Sequence, residues 1–486
     1  MRHFKLIQAM SIKKHLKSSF LRFNTLFLLL AFILTNCACK KYLDQKPDAS
    51  LVVPKSISDL QALLDDNTIM NLQNTPCFGE VSADDYFLLE SVYNSRPEDQ
   101  KKNYKWIPSD YFYQNDWAIS YLPIYNANYC LEMIDKISQN SSNVAQWNNV
   151  KGSAFFYRGY NYLNLAWTFA KAYDKATANS IPGIVLRTGS DFNVPSVRVS
   201  LKESYDQVIS DVKKSIQLLP NYPEHPFRPS KWAGYALLGR AYLSMREYDS
   251  AYIYSNLALQ MKSDLINYNT GDIDIVSTTS TTPFKKFNRE TIFYTEMTSS
   301  IPLIITSRAL MDTLLYSYYA SQDMRKTLFF TAAAAPATLY KKFKGSYSRS
   351  TSILFTGLAT DEMFLIKAEC LARGINGLPG DKDAALLELN KLISKRWNNT
   401  QPYVNITATD ASDAINKILL ERRKELLMRG LRWIDIKRLN LEGRNIIPKR
   451  LIGGQTYLLQ PNANYYALPL PTDIIAITGI VQNPYP

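Results

Sequence analysis

Residues 232–259 constrain the fold most. They read Trp232-Ala-Gly-Tyr235-Ala-Leu-Leu238-Gly239-Arg-Ala-Tyr242, then Tyr248-Asp249-Ser-Ala251, and on to Ala258. Small and apolar residues recur at helical spacing on both sides of a polar break, which predicts two helices folded back on each other. Helices that cross closely need small residues at the contact and a bulky aromatic to fill the groove beside it.

Laid on the 34-residue tetratricopeptide pattern, this stretch supplies the large residue, the Leu-Gly pair, the Tyr three on and both small residues of the second helix. An unrelated helical hairpin is the alternative reading of a single repeat. Helical spacing recurs over 56–72, with Leu60, Leu63 and Leu64 on one face, over 117–138, and over 144–172. Ser200 is placed to cap a helix that Pro220 stops at Leu219. Further hairpins pair 144–172 with 201–219 and 361–373 with 382–396. The expected fold is mainly α: four tetratricopeptide-like hairpins form a curved scaffold over about 50–263 and 360–445. Residues 264–350 are expected to be an irregular, loop-rich insertion packed on it. Short strands are expected near 181–186 and 457–468, and Trp117, Trp167 and Trp232 belong to the core.

The first 36 residues read as an export signal. Arg2, Lys5, Lys13, Lys14, Lys17 and Arg22 precede an apolar run from Leu26 to Leu34, which gives way to Thr35-Asn36-Cys37-Ala38-Cys39. That run of about nine residues is too short for a membrane-spanning helix, which needs roughly 20. With Leu34 three positions ahead of Cys37, the segment resembles a bacterial lipoprotein box, in which the cysteine is acylated and becomes the first residue. Cys39 is the competing site, and an ordinary cleaved signal is the alternative.

Composition narrows the function. Loss of the signal removes six of the 56 Lys and Arg and none of the 43 Asp and Glu, so the net charge falls from +13 to about +7. No basic run exceeds three residues, so nothing asks for nucleic acid. His3 and His15 leave with the signal and only His225 remains; a mechanism that needs a histidine pair has lost its residues. Cys77, Cys130 and Cys370 are odd in number and far apart, which implies no disulfide framework, though one bridge stays open. No cofactor or metal is expected.

A series of motifs runs nearly the length of the chain. After the cysteines comes Lys40-Lys41-Tyr42-Leu43-Asp44 with Pro47, then Trp117-x3-Tyr121-x2-Ile124-x3-Asn128, Arg158-Gly-Tyr160-x-Tyr162-x2-Leu165 and Pro182-Gly183-Ile-Val-Leu186. Tyr205-x3-Ile209-x-Asp211 leads to Leu218-Leu219-Pro220. Later come Ala368-Glu369 with Arg373, Leu389-Asn390 leading to Arg396, and Glu421-Arg422-Arg423-Lys-Glu425-Leu426-x2-Arg429-Gly430-x-Arg432-Trp433-x-Asp435-x-Lys437-Arg438. Leu470-Pro471-x-Asp473-Ile and Gln482-Asn483-Pro484 close the series. In this order they resemble the SusD/RagB family of outer-membrane nutrient-binding lipoproteins. Arg429 stands where that family usually has an acid, and Asn440 where a Gly often follows, which puts any particular salt bridge of that hairpin in doubt. The resemblance implies a signal over 1–36 and a SusD-like helical body over 37–486. It further implies a lipid-anchored, non-enzymatic protein on the outer membrane, facing the exterior. Such a protein captures a nutrient, usually an oligosaccharide, and delivers it to a SusC-like TonB-dependent transporter.

Sugars present flat C–H faces that stack on aromatic rings, and hydroxyls that need fixed polar groups. Two aromatic-rich segments are candidates: 86–113, with Tyr86, Tyr104, Trp106, Tyr111 and Tyr113, and 316–347, with Tyr316, Tyr318, Tyr319 and Tyr347. Glu421 and Glu425, one turn apart among several arginines, suit a structural ion-pair network better than catalysis. Asp84-Asp85 and Asp272 with Asp274 are expected to be solvated or capping groups, not a glycosidase pair. The rival functions are a tetratricopeptide-type adaptor and, less favoured, a surface glycoside hydrolase.

Overall fold

Several helices begin where the sequence provides a cap. Ser56 and Ser200 each accept from the amide three residues on, while Asp59 and Glu203 reach back, closing capping boxes at the heads of α1 (Ile57–Leu64) and a later helix at Leu201. The computed structural model describes residues 54–485 apart from 112–114, 270 and 336. Cys37, Cys39 and Tyr113 lie outside the described residues.

After α1 come α2 (Asn67–Met70), α3 (Phe78–Ser82), β1 (Tyr86–Phe87), α4 (Glu90–Asn94) and α5 (Glu98–Tyr104). The long helices follow: α6 (Asp116–Ile134), α7 (Val144–Phe169), then β2 (Pro182–Val185), β3 (Arg198–Ser200), α8 (Leu201–Leu218), α9 (Lys231–Met245) and α10 (Tyr248–Met261). A strand-bearing stretch holds β4 (Thr291–Phe293), β5 (Leu310–Met311), α11 (Thr313–Ser317), α12 (Arg325–Leu328), β6 (Phe330–Ala332), β7 (Lys341–Phe343) and β8 (Leu358–Ala359). The last part carries α13 (Thr360–Arg373), α14 (Lys382–Ser394), α15 (Ala411–Glu425), α16 (Arg432–Asn440), the hairpin β9 (Lys449–Ile452) and β10 (Gln455–Leu458), and α17 (Thr472–Thr478).

The fold is mainly helical, as the periodicity predicts. Helices α6 to α10 stack on one another in series, α10 packs on α13, and α13 packs on α14 and α15. Both hairpins drawn from the sequence form, α7 with α8 and α13 with α14. Gly239 is the closest crossing of the α9–α10 hairpin: a Cβ there would stand 3.1 Å from the Ser255 amide nitrogen. Trp117, Trp167 and Trp232 are buried. The Trp232 indole donates to the Ala258 carbonyl at 3.0 Å, which ties the two helices of the hairpin.

The 264–350 insertion has a core of its own, and one expectation, that of solvated acid pairs, needs correction. Residues 264–350 are not merely loops on a scaffold: Tyr268, Phe284, Phe329 and Tyr347 pack with Phe355 and Met428 into a second core. Aromatic side chains in a polar sequence context read as surface, yet they close around each other here. Nor are the acid pairs solvated. Asp85 is buried, and Asp84 and Asp85 face Arg423 and Arg432, with Arg432 Nε 2.6 Å from Asp84 Oδ1 and Arg423 Nε 2.8 Å from Asp85 Oδ1. Asp272 and Asp274 share Arg289.

The 421–438 segment is a structural network whose partners mostly lie elsewhere in the chain. Arg325 of α12 reaches Asp323, Glu421 and Glu425, and Arg396 joins Glu425 to Glu290. Arg438 binds Glu369 through both terminal nitrogens, at 2.6 and 2.8 Å. Burial alone would raise the Glu369 carboxyl, but Arg438 and Arg373 hold it down at about 2. Arg429, the residue that departs from the family pattern, donates to Asp361 at 3.0 Å. Cys77, Cys130 and Cys370 are buried and unbridged.

Candidate functional site

Strand β1 of the first aromatic segment pairs antiparallel with β5, just ahead of the second, Tyr86 opposite Met311 and Phe87 opposite Leu310. Successive strand residues point to opposite faces, so adjacent aromatics on β1 have opposite fates. Tyr86 turns inward and is 1% exposed, while Phe87 turns outward and is half-buried. The Phe87 ring meets that of Tyr340, centroids 5.1 Å apart. Leu89 and Leu310 pack beside this pair, and Leu339 is 89% exposed next to it.

Five of the predicted stacking residues are corrected by burial. Tyr86, Tyr104 and Trp106 surround the guanidinium of Arg450, which lies 4.9, 4.5 and 5.1 Å from their ring centroids. Their polar atoms are also spent: Tyr86 donates to the Val81 carbonyl, Tyr104 accepts from the Leu88 amide, and Trp106 donates to the Ser82 carbonyl. Tyr347 is buried under Arg429, 4.3 Å from its ring, and donates to Glu290. These rings do meet polar and cationic groups, but the groups are the protein's own. Tyr111 is half-buried against Phe78 and donates to the Pro469 carbonyl. Tyr319, named with them, is buried and donates to the Lys424 carbonyl.

Tyr316 and Tyr318 stay accessible. Tyr316 stands edge to face with Phe330 and has Lys326 and Lys341 at 5.0 and 5.6 Å from its ring; Tyr318 is exposed. The accessible rings of this region are therefore Phe87, Tyr316, Tyr318 and Tyr340. Phe87 and Tyr340 are the residues that sequence reasoning missed. The period-2 alternation at Tyr86-Phe87 is the signal that could have found the first; a two-residue strand is too short to display it without its partner.

Two cavities compete with this face. A groove of about 910 Å³ near the head of α1 is lined by Gln61, Asn143, Gln146, Asn148 and Asn149 but offers no aromatic ring. A pocket of about 250 Å³ between α6, the 187–196 segment and α17 has aromatic walls in Trp117, Tyr121, Tyr125 and Phe192. Its polar groups are consumed internally: Tyr121 donates to the Val185 carbonyl, Asn128 to that of Gly189, and Arg187 to that of Asp191. Around it Phe192 and Ile477 are each 80% exposed, with Val194, Val197 and Val481 nearby in sequence also bare. An open apolar surface of this kind fits a protein partner better than a hydroxyl-rich ligand.

Among the described residues, no group of three or more His, Cys, Asp or Glu is placed to hold a metal ion. Among the same residues no helix is long and apolar enough to cross a membrane.

Comparison with known proteins agrees with the fold. Residues 41–243 match the SusD-like_3 family model, described as "Starch-binding associating with outer membrane". A SusD superfamily structure from Bacteroides thetaiotaomicron superposes with a TM-score of 0.70 at 21% identity, covering 88% of this chain and 100% of that one. A SusD-like carbohydrate binding protein from Bacteroides vulgatus gives 0.62 at 18%, over 88% and 97% of the two chains. The SusD-like protein P2 of Formosa agariphila is 22% identical over 429 residues, 76% of this chain and 79% of that protein. The resemblance read from the motifs is borne out as similarity: residues 41–243 match the SusD-like_3 model, and the fold is shared with SusD superfamily structures.

Proposed function

We propose that this SusD-like chain is an outer-membrane-associated carbohydrate-binding protein. It captures an oligosaccharide at the cell surface and passes it to a SusC-like TonB-dependent transporter, held to the membrane by a lipid on Cys37. The observation that carries the binding reading is the meeting of Phe87, which β1 carries outward, with Tyr340, which the β6–β7 turn brings up, so that the two aromatic segments share one accessible surface. Accessible ring faces can take sugar C–H surfaces, and the Tyr316 ring of the same segment has Lys326 and Lys341 close by as donors for hydroxyl groups. The apolar surface around Phe192 and Ile477 is the candidate contact with the transporter. Its bare side chains suit burial against another protein, and the family resemblance names the partner class.

The adaptor reading differs in one respect: it expects no affinity for soluble glycans. Glycan-array binding of the mature protein, with pull-down from solubilised outer membrane, separates the two. Binding to at least one glycan class together with recovery of a transporter-sized partner supports capture and hand-over. Protein partners without any glycan binding would leave the adaptor. Release of reducing ends from a bound glycan would reopen the hydrolase.

A further inference from the structure

Where the first core meets the second, the chain leaves a cavity of about 20 Å³ between α3, the end of α7, α9 and the 429–434 stretch. Trp433 and Ile434 belong to the first core, and the Arg429 guanidinium packs on Tyr347 and Phe355 of the second, 4.3 and 5.6 Å from their ring centroids. Several polar side chains of the wall are bonded within the protein. Arg240 donates to Glu362 and to the Gly357 carbonyl, Thr356 donates to Thr75, Thr168 to the Asn164 carbonyl, and Asn164 to that of Tyr160.

Three wall residues each keep one polar atom that bonds no other group of the protein. These atoms are Glu80 Oε1, Arg429 Nη2 and Trp433 Nε1, on side chains that are 1%, 7% and 2% exposed. Fixed contacts bring the three residues together. Glu80 Oε2 accepts from the Gly430 amide at 2.9 Å, which sets the carboxyl beside the residue that follows Arg429. Arg429 Nη1 is held by Asp361 at 3.0 Å. A Cβ on Gly79 would stand 3.1 Å from Trp433 Cδ1, the carbon bonded to Nε1, so that edge of the indole lies against the neighbour of Glu80. A buried donor or acceptor without a partner is costly, and folded proteins rarely leave one so.

We propose that this cavity binds a single water molecule through Glu80 Oε1, Arg429 Nη2 and Trp433 Nε1. The volume admits one, since a water needs roughly 10–15 Å³. The donor set selects it: a metal cation would face two N–H groups, and an anion would face a carboxyl oxygen. A water accepts from both nitrogens and donates to the oxygen, and three bonds are usual for a buried water. Bound there, it ties α3 to the turn ahead of α16 at the junction of the two cores. The site does not depend on the carbohydrate reading.

The test is a crystal structure of the mature protein at a resolution that shows ordered solvent, with a second crystal soaked in rubidium bromide. The expected result is an isolated solvent peak within about 2.6–3.2 Å of all three atoms, without anomalous signal from either ion. Rubidium or bromide in the cavity overturns the water, as does a cavity without density or one closed by a direct bond between Arg429 and Glu80. Glu80→Met removes the acceptor and should lose the peak, whereas Glu80→Gln keeps a polar atom in its place and should retain it. A peak that persists in the first variant, or vanishes in the second, overturns the assignment of Glu80. The unaltered protein carries the main result, so a variant that fails to fold leaves the test intact. Failure here leaves glycan capture standing.

Discussion

The rings of Phe87 and Tyr340 meet edge to face, 5.1 Å between centroids and 79° between planes, although 253 positions of chain separate them. Strand β1 carries the first outward and the β6–β7 hairpin brings up the second, so two distant aromatic segments share one accessible surface.

Replacing Tyr340 by Ala should weaken glycan binding by about 1–2 kcal/mol, the scale of losing one aromatic face, with the thermal midpoint nearly unchanged. Trp106→Ala should do the reverse. Its ring is buried against Arg450 and its indole bonds to Ser82, so the loss is stability, about 3–5 kcal/mol. Calorimetric titration and thermal melts of both variants check the pair of outcomes; a Trp106 variant that melts normally and binds poorly would return that residue to the site.

Arg325 holds Asp323, Glu421 and Glu425 from a fully buried position. Arg325→Met leaves those carboxylates short of their main cation. The expected cost is about 3–5 kcal/mol, read as a lowered urea midpoint. An unchanged midpoint would mean that Lys424 and Arg396 suffice.

Glu80 and Glu369 are both buried carboxylates, yet they titrate in opposite directions. Glu80 accepts from the Gly430 amide and touches no guanidinium, so burial, aided by the charge of Asp85, pushes its carboxyl up to about 8. The folded state therefore keeps a proton that the unfolded chain releases near its ordinary value of 4.5. Stability from this group is complete below that value and is lost as pH rises toward and through 8. Glu80→Gln removes the titration. Melts from pH 5 to 9 should show the variant gaining on the unaltered protein steadily as pH rises; parallel curves would contradict the assignment.

The apolar surface around the α6–α17 pocket gives a third kind of variant. Phe192→Asp combined with Ile477→Asp should abolish recovery of the transporter from solubilised membranes. Glycan affinity and melting temperature should stay unchanged, since both side chains are 80% exposed. Retained co-purification would move the partner surface elsewhere.

Lipidation is predicted at Cys37, outside the described residues. Mass spectrometry of the mature N-terminus should find a diacyl- or triacyl-cysteine there, since one acyl chain gives only reversible membrane binding. Cys37→Ser should release the protein from membranes; an acylated Cys39 would shift the site by two residues.

The helical scaffold was legible in the sequence because its determinants are local. Ser200 with Glu203, Pro220, and the spacing of Leu238, Gly239, Ala251 and Ala258 specify helix starts, stops and a close crossing within a few turns of chain. The two aromatic segments were legible as segments too. Which of their rings would face solvent was not, because that depends on partners far away. Arg450, more than 340 positions on, fills the space between Tyr86, Tyr104 and Trp106, and β5 fixes the face on which Phe87 emerges. The same holds for the charges: Asp84 and Asp85 look like loop acids until Arg423 and Arg432 close on them from α15 and α16. Helix periodicity is written within one stretch of chain, whereas the burial of a ring or a carboxylate is decided by whichever distant segment packs over it.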